Sequence, residues 1–477
     1  MSALKIRVSI LLLALISAAT CEPVSHETTV ALVGGQLIDG TGTPAIEDGV
    51  LVMQGQRIVA VGPRSEISVP TNARVIDVSG KTIMPGMIEG NGHIMFSGQY
   101  NHTLYWPSRS HEYYTIGARN LYTSLQQGIT TMRDTMDPLE EMLALREDVE
   151  SGKIAGSRLF TSGTILKYPG ILRGLKPENV DTLPVTQEEI QRARDAMVLS
   201  VRDGTHGSEI VADYARRGAD FIKVSAYSGP ANEPPVLSTE ELREIVDESH
   251  RLGLKVTTHT MTVPSVVSVL DAGVDAMEHP ELMADSLPPE EEEFTEALAK
   301  RFADENVYSI PLIVAFEVYS TYGEDPSRLD DRRYVRHAPS DMVQESREGL
   351  RADLERNSNT LRDWRSRLEV GRRNLQKLIA ADAPIAMGTD KGTRLNFHES
   401  GNHVRELEVY IELGMTPMEA IVSATRRGAE LLGQEDEFGT LQVGKLADVI
   451  VIDGDPLDDI TVLHNIEAVF KQGVRYR

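Results

Sequence analysis

The stretch Met84-Pro-Gly-Met-Ile-Glu-Gly-Asn-Gly-His-Ile-Met-Phe96 divides two kinds of sequence, and its reading decides the fold. Upstream, short apolar segments are punctuated by glycine turns, as at Gly34-Gly35 and Gln54-Gly55, which is the signature of a small β unit. Downstream, strand-length apolar runs alternate with amphipathic helical patterns. Within the stretch, Asn91 and His93 are two residues apart, and residues two apart on a strand share a face. A strand starting at Met87 therefore carries both side chains together to its C-terminal end. A His-x-His pair there would read as a metal motif. Here the first position is Asn, and that residue has to be accounted for.

Eight candidate strands follow from the apolar runs: 87–93, 130–133, 158–162, 221–225, 255–259, 276–279, 307–314 and 385–390. Separated by helical patterns, they predict an α/β fold with a TIM-like (β/α)8 barrel spanning 85–438. Ser238-Thr-Glu-Glu241 fits a capping box and opens a helix that should stop at Gly253. Pro417 opens another, ending near Gly433. The charged, Arg-rich segment 319–378 is too long for a simple connection and is expected to be a helical insertion over the barrel mouth, the alternative being a solvated outer helix pair. The β patterns of 28–84 and 439–477 predict a small composite β-sandwich built from both ends of the chain.

Length and charge narrow the partners. A chain of 477 residues can bury more than one core, and a formal net charge of −24 argues against nucleic acid or an anionic membrane surface. A small-molecule substrate is expected instead. Residues 1–21 place Lys5 and Arg7 before an apolar run and then small residues, the shape of a signal peptide, so export to the periplasm is expected. Cys21 is the single cysteine, which rules out an intramolecular disulfide. Its position is similar to that of a lipoprotein's lipidated cysteine, although Ala18-Ala-Thr20 lacks the usual Leu. Membrane attachment is expected only if Cys21 is lipidated.

In a β/α barrel the strand C-termini open on one face, where sites are built. The candidate ends carry His93, Lys223, His259, His279 and Asp390. Imidazoles and a carboxylate suit zinc or a similar divalent ion. A lone His at a strand end is more often a core residue; several in order at successive ends form the pattern of a site. Lys223 cannot ligate as an ammonium. Burial would lower its pKa, and the neutral amine can then combine with carbon dioxide to give an anionic carbamate; a buried salt bridge is the competing reading. Around the mouth, Tyr100, His102, Tyr105, Trp106 and, more weakly, His111 suggest an aromatic pocket or a packed loop. Tyr227 is placed to donate to a substrate oxygen, and Lys391, Arg394 and His398 to meet a carboxylate. Arg133 and Asp134 read as a structural pair. No Gly-rich phosphate loop, serine elbow or paired Cys ligands occur, so nucleotide binding and serine hydrolysis lack support.

These motifs resemble the metal-dependent amidohydrolase superfamily, and within it the imidazolonepropionase and Zn-dependent prolidase-like branch. The resemblance covers nearly the whole chain after residue 28 and rests on Met84-Pro-Gly-Met-Ile-Glu89, Gly128-Ile-Thr-Thr-Met-Arg-Asp134, Phe221-Ile-Lys-Val224, Thr257-Thr-His-Thr260, Met277-Glu-His279, Met387-Gly-Thr-Asp390 and Leu441-Gln-Val-Gly-Lys-Leu-Ala-Asp-Val-Ile-Val451. It implies hydrolysis of a C–N bond, in an amide or dipeptide-like molecule, by metal-activated water. It also implies Lys223 as a carboxylated bridge, His259 and His279 on one ion, and His93 and Asp390 on another, with Asp390 also moving the proton. Homo-oligomers are common in this branch. Asn91 stands where the family has its first metal-binding His, which leaves one or two ions per chain and Asn91 as an oxygen ligand or none. In that feature the chain resembles hydrolases of phenylurea and thiocarbamate compounds, giving a urea or carbamate hydrolase as the alternative, with a non-catalytic ligand-binding barrel as a further one.

Overall fold

The run Val449–Ile452 is apolar at every position because both of its faces are buried. Val449 and Val451 join the core of the terminal β unit, while Ile450 and Ile452 join the core of the central domain. The computed structural model describes residues 29–96, 98, 113–167, 198–226, 237–280, 292–324, 340–356, 358–393 and 396–477. The expected signal peptide and Cys21 lie outside the described residues. Among the described residues no helix is long and apolar enough to cross a membrane.

The N-terminal strands are β1 (Thr29–Leu37), β2 (Ile46–Gln54), β3 (Arg57–Pro63), β4 (Arg74–Asp77) and β5 (Thr82–Pro85). The central strands are β6 (Met87–Gly92), β7 (Ile129–Asp134), β8 (Arg158–Thr161), β9 (Ile165–Lys167), β10 (Val198–Ser200), β11 (Phe221–Ser225), β12 (Lys255–His259), β13 (Ala276–Glu278) and β14 (Tyr308–Ile310). The C-terminal strands are β15 (Val449–Ile452), β16 (Ile466–Lys471) and β17 (Val474–Arg475). Strands from both ends form one mixed eight-stranded sheet, in which β15 pairs antiparallel to β5. The composite character expected from the two β-patterned ends is therefore present as a single sheet.

In the centre, β6-β7-β8 and β10-β9-β11-β12-β13-β14 form two sheets of parallel pairs. The expected strand 385–390 is not a regular strand. It is an extended segment tied on one side to β14, where Ala386 N–H donates to Ser309 O (3.0 Å), and on the other to β6, where Gly90 N–H donates to Met387 O (2.9 Å). Gly388 makes this approach feasible, since a Cβ there would lie 2.4 Å from Ile310 Cγ2. The expected strand 307–314 is also shorter. After Ile310 the chain turns through Leu312 (φ 56°), and the buried Glu406 carboxylate accepts from the N–H groups of Ile313 (3.0 Å) and Val314 (2.6 Å), so a helix starts at once.

Helices between strands include α1 (Tyr113–Gln126), α2 (Leu139–Glu150), α3 (Gly204–Arg217), α4 (Thr239–Arg251), α5 (Val263–Ala272) and α6 (Glu296–Asp304). The capping box at Ser238 and Glu241 is formed, and α4 buries the stripe Leu242, Ile245 and Val246. The helical segment expected over 319–378 begins earlier and, among the described residues, comprises α7 (Ile313–Glu324), α8 (Ser340–Arg356) and α9 (Ser358–Ala380). The single helix expected after Pro417 is two, α11 (Pro417–Ser423) and α12 (Arg426–Leu432), following α10 (Asn402–Glu412). Its expected stop holds, as Gly433 adopts a left-handed C-cap (φ 65°).

Candidate metal centre

Asp390 is delivered by the extended segment beside β6 and adopts left-handed backbone (φ 61°), a region in which a non-glycine residue must be held by its surroundings. The holding groups are visible. Thr389 donates to the buried Glu89 through N–H (2.6 Å) and Oγ1 (2.8 Å), and Asp390 N–H donates to Asn91 O (2.9 Å). Burial pushes Glu89 up to about 7 and its neighbour Lys391 down to about 8. The Asp390 carboxylate meets His93, with Oδ1 2.9 Å from Nε2. Burial raises the Asp390 pKa, but the His93 hydrogen bond and the nearby positive charge outweigh it and hold the group below the usual carboxylate range.

Asn91 also reaches Asp390. Its Nδ2 donates to Oδ1 at 3.1 Å, while its own Oδ1 accepts from the Thr135 hydroxyl. The amide oxygen is thus turned onto Thr135 and the NH2 onto the carboxylate.

Lys223 comes from β11 and donates to Glu278 Oε2. Both are buried, and Glu278 also accepts from Arg133 (3.0 Å) and Thr257 (2.6 Å). Burial lowers the Lys223 pKa, with Glu278 opposing. Burial raises Glu278, but the Lys223 and Arg133 cations outweigh it, leaving the carboxylate below its ordinary value. The expected Arg133–Asp134 pair is corrected here. Successive strand residues face opposite ways, so Arg133 turns to Glu278, Gly90 O (2.9 Å) and the Phe221 ring, while Asp134 accepts from Thr161 Oγ1 (2.8 Å).

His259 and His279 meet edge to face, with ring centroids 4.4 Å apart and planes at 82°. Strand alternation alone would send neighbours 278 and 279 to opposite faces. The left-handed backbone at His279 (φ 39°) breaks that alternation, and both side chains are buried. Burial, aided by the Lys223 charge, lowers His279 to about 4, so its imidazole is neutral at pH 7. Glu278 was missed as a site residue in the sequence, although it sits inside the Met277-Glu-His279 motif.

His398, expected to meet a substrate carboxylate, is instead buried, with Nε2 3.0 Å from His93 O. It braces the loop that carries His93. Lys391, expected in the same role, is buried too, and its Nζ faces Gln127 Oε1 (3.2 Å) and His403 Nδ1 (3.3 Å). Tyr100, His102, Tyr105, Trp106, His111, Tyr227 and Arg394 lie outside the described residues.

Among the described residues no three His, Cys, Asp or Glu side chains close on one point as a finished ligand shell. The donor chemistry nevertheless fits a divalent ion. His93 Nδ1 and His279 Nδ1 are buried without a hydrogen-bond partner, His279 is held neutral, and Asp390 is held ionised.

Comparison with known proteins gives the family. Residues 82–475 match the amidohydrolase family. The chain belongs to the amidohydrolase family. This amidohydrolase is a hydrolase acting on carbon–nitrogen bonds, in a superfamily whose members generally depend on a divalent metal, and a purely ligand-binding role is not favoured. It is 26% identical to an ochratoxinase of Aspergillus niger over 465 residues, covering 93% of this chain and 85% of the relative. It is 22% identical to an imidazolonepropionase of Alkaliphilus metalliredigens (strain QYMF) over 455 residues, covering 90% of each. A crystal structure of a Xaa-Pro dipeptidase with bound methionine in its active site superimposes with a TM-score of 0.72 at 23% identity, covering 94% of this chain and 100% of that one. That neighbour has the same fold.

Proposed function

We propose that this amidohydrolase cleaves the C–N bond of an amide or dipeptide-like small molecule, with water activated at a divalent ion, zinc being the favoured metal. The observation that carries the reading is the convergence of His93 and Asp390, 297 residues apart in sequence, at 2.9 Å, with Asp390 held in left-handed backbone. In this reading the central strands and the 384–391 segment close as a (β/α)8 barrel, and the terminal sheet curls into the composite sandwich. His93, His259, His279 and Asp390 would hold the metal, with Lys223 carboxylated. A carbamate nitrogen keeps one N–H, which is compatible with the hydrogen bond to Glu278.

The bound ion would supply a Lewis acid that acidifies water and polarises the substrate carbonyl. Asp390 takes a proton from the water as its oxygen bonds to the carbonyl carbon, and returns that proton to the nitrogen as the C–N bond breaks. Arg133 and Glu278 keep Lys223 in place and make no contact with the reacting atoms.

Charge favours one ion per chain. With Lys223 as an ammonium, the buried Lys223, Arg133, Glu278 and Asp390 sum to zero; carboxylation of Lys223 leaves two negative charges, which one divalent cation neutralises. We place the protein outside the cytoplasm on the signal-like residues 1–21. The test is metal analysis combined with a panel of dipeptides, N-acyl amino acids, ureas and carbamates. Turnover of amides by zinc-loaded protein, lost on chelation, is expected. Absence of turnover across the panel would sink the proposal.

A further inference from the structure

Asn91 is bonded to Asp390 twice, by main chain and by side chain. Its carbonyl accepts from Asp390 N–H (2.9 Å) and its Nδ2 donates to Asp390 Oδ1 (3.1 Å). The orientation of the amide is decided at the Asp390 end. Reversing it would set an amide oxygen against a carboxylate oxygen, two acceptors with no proton between them. Thr135 completes the arrangement, because its hydroxyl donates to Asn91 Oδ1 and its own N–H is tied to Gly92 O (3.3 Å). Asn91 and Thr135 are both buried, so water offers neither an easy alternative partner. His93 Nε2 lies against the same Asp390 oxygen. A carboxylate only accepts, so Oδ1 takes two donors, and the carboxylate is held in one orientation.

We propose that Asn91 is a positioning residue for Asp390 and not a metal ligand, with Thr135 holding the Asn91 amide whose nitrogen orients the Asp390 carboxylate. This rests on the hydrolytic reading above. It explains how an Asn can replace the family's first His without dismantling the site, since its oxygen is engaged by Thr135 and its nitrogen steadies the base.

The experiment compares wild type with Asn91→Ala, Thr135→Val and Thr135→Ser, each checked for folding by circular dichroism. Zinc affinity is measured by chelator competition and metal content by mass spectrometry, and kcat and KM on the best amide of the panel. Asn91→Ala is expected to lower zinc affinity by no more than about the 10–100-fold of an outer-shell residue, while kcat falls by about tenfold or more at little-changed KM, the pattern of a lost transition-state interaction. Thr135→Val should show a smaller fall of the same kind, and Thr135→Ser should restore it. A loss of zinc affinity of well over about a hundredfold in Asn91→Ala, beyond the range of an outer-shell residue, would overturn the proposal by making Asn91 a ligand. Unchanged kcat in Asn91→Ala would overturn it by making Asn91 a spectator. If wild type cleaves nothing, the hydrolytic reading falls separately, and the zinc-affinity comparison still decides whether Asn91 is a ligand.

Discussion

Lys223 Nζ donates to Glu278 Oε2 across the interior of the central domain, and Arg133 meets the other oxygen of the same carboxylate at 3.0 Å. One buried anion thus serves two buried cations. Removing the anion strands both, so Glu278→Gln is expected to destabilise the protein by about 3–5 kcal/mol, the cost of breaking a buried pair from one side. Lys223→Met leaves Glu278 with Arg133 and Thr257, and its cost should be under about half as large, because the remaining buried anion and cation still pair and no charge is left uncompensated. Urea unfolding of the two metal-free variants at pH 7 checks the order. Equal losses would show that Glu278 serves Lys223 alone.

Much of this was legible in the sequence, and what was not has a common cause. Motif order placed His259 at the end of β12 and His93 and His279 just past β6 and β13, while Lys223 is mid-strand in β11 and Asp390 lies on an extended segment. Lys223 was left between carbamate and salt bridge, and its hydrogen bond to Glu278 is one that either form of the nitrogen can donate. Partners far along the chain escaped. The capping of Ile313 by Glu406, 93 residues on, ended a strand that local apolarity prolonged. The amide of Asn91 is oriented by Thr135, 44 residues away, and nothing near Asn91 encodes that. The segment 385–390 is as apolar as a strand because it is buried between β14 and β6, yet Met387 N–H bonds to Ser423 O, outside any ladder. Burial was readable there, and hydrogen-bond pattern was not.

Asp134 and Asp137 form a second buried relationship, with a measurable dependence on pH. Both are essentially inaccessible, and the Oδ1 of each lacks a donor. Burial first, then the charge of Asp137 and a hydrogen bond to it, raise the Asp134 pKa well above its ordinary value, and the pair is expected to share one proton. The outer oxygens receive Thr161 Oγ1 and Met95 N–H (2.9 Å), which ties the pair to the loop after His93. A raised folded-state pKa means that its stabilising contribution is full below the unfolded value near 3.9 and falls as pH rises toward the folded value, by up to about 1.4 kcal/mol per unit. Asp137→Asn replaces the shared proton with an amide N–H. It should flatten that decline and raise Tm at pH 8 relative to wild type, while leaving Tm at pH 4 little changed. A variant whose Tm follows the wild-type pH profile would refute the shared proton.

Asp390→Asn is the most direct test of the proton's path. Asn is among the few residues that accept left-handed backbone readily, so the φ of 61° is kept without added strain, which Ala would not allow as easily. The new side-chain oxygen can still accept from His93 Nε2 and Asn91 Nδ2, the two groups now on Asp390 Oδ1. What is lost is the second oxygen's basicity, since an amide NH2 in its place cannot take a proton from water. Turnover is therefore expected to fall by about 10²–10⁴-fold, the range for removing a general base, with zinc content largely retained on His93, His259 and His279. Steady-state kinetics and metal analysis on one preparation separate the two effects. Robust turnover with metal bound would move the base elsewhere; loss of the metal along with turnover would make Asp390 chiefly a ligand, its carboxylate charge mattering more for holding the ion than for moving the proton.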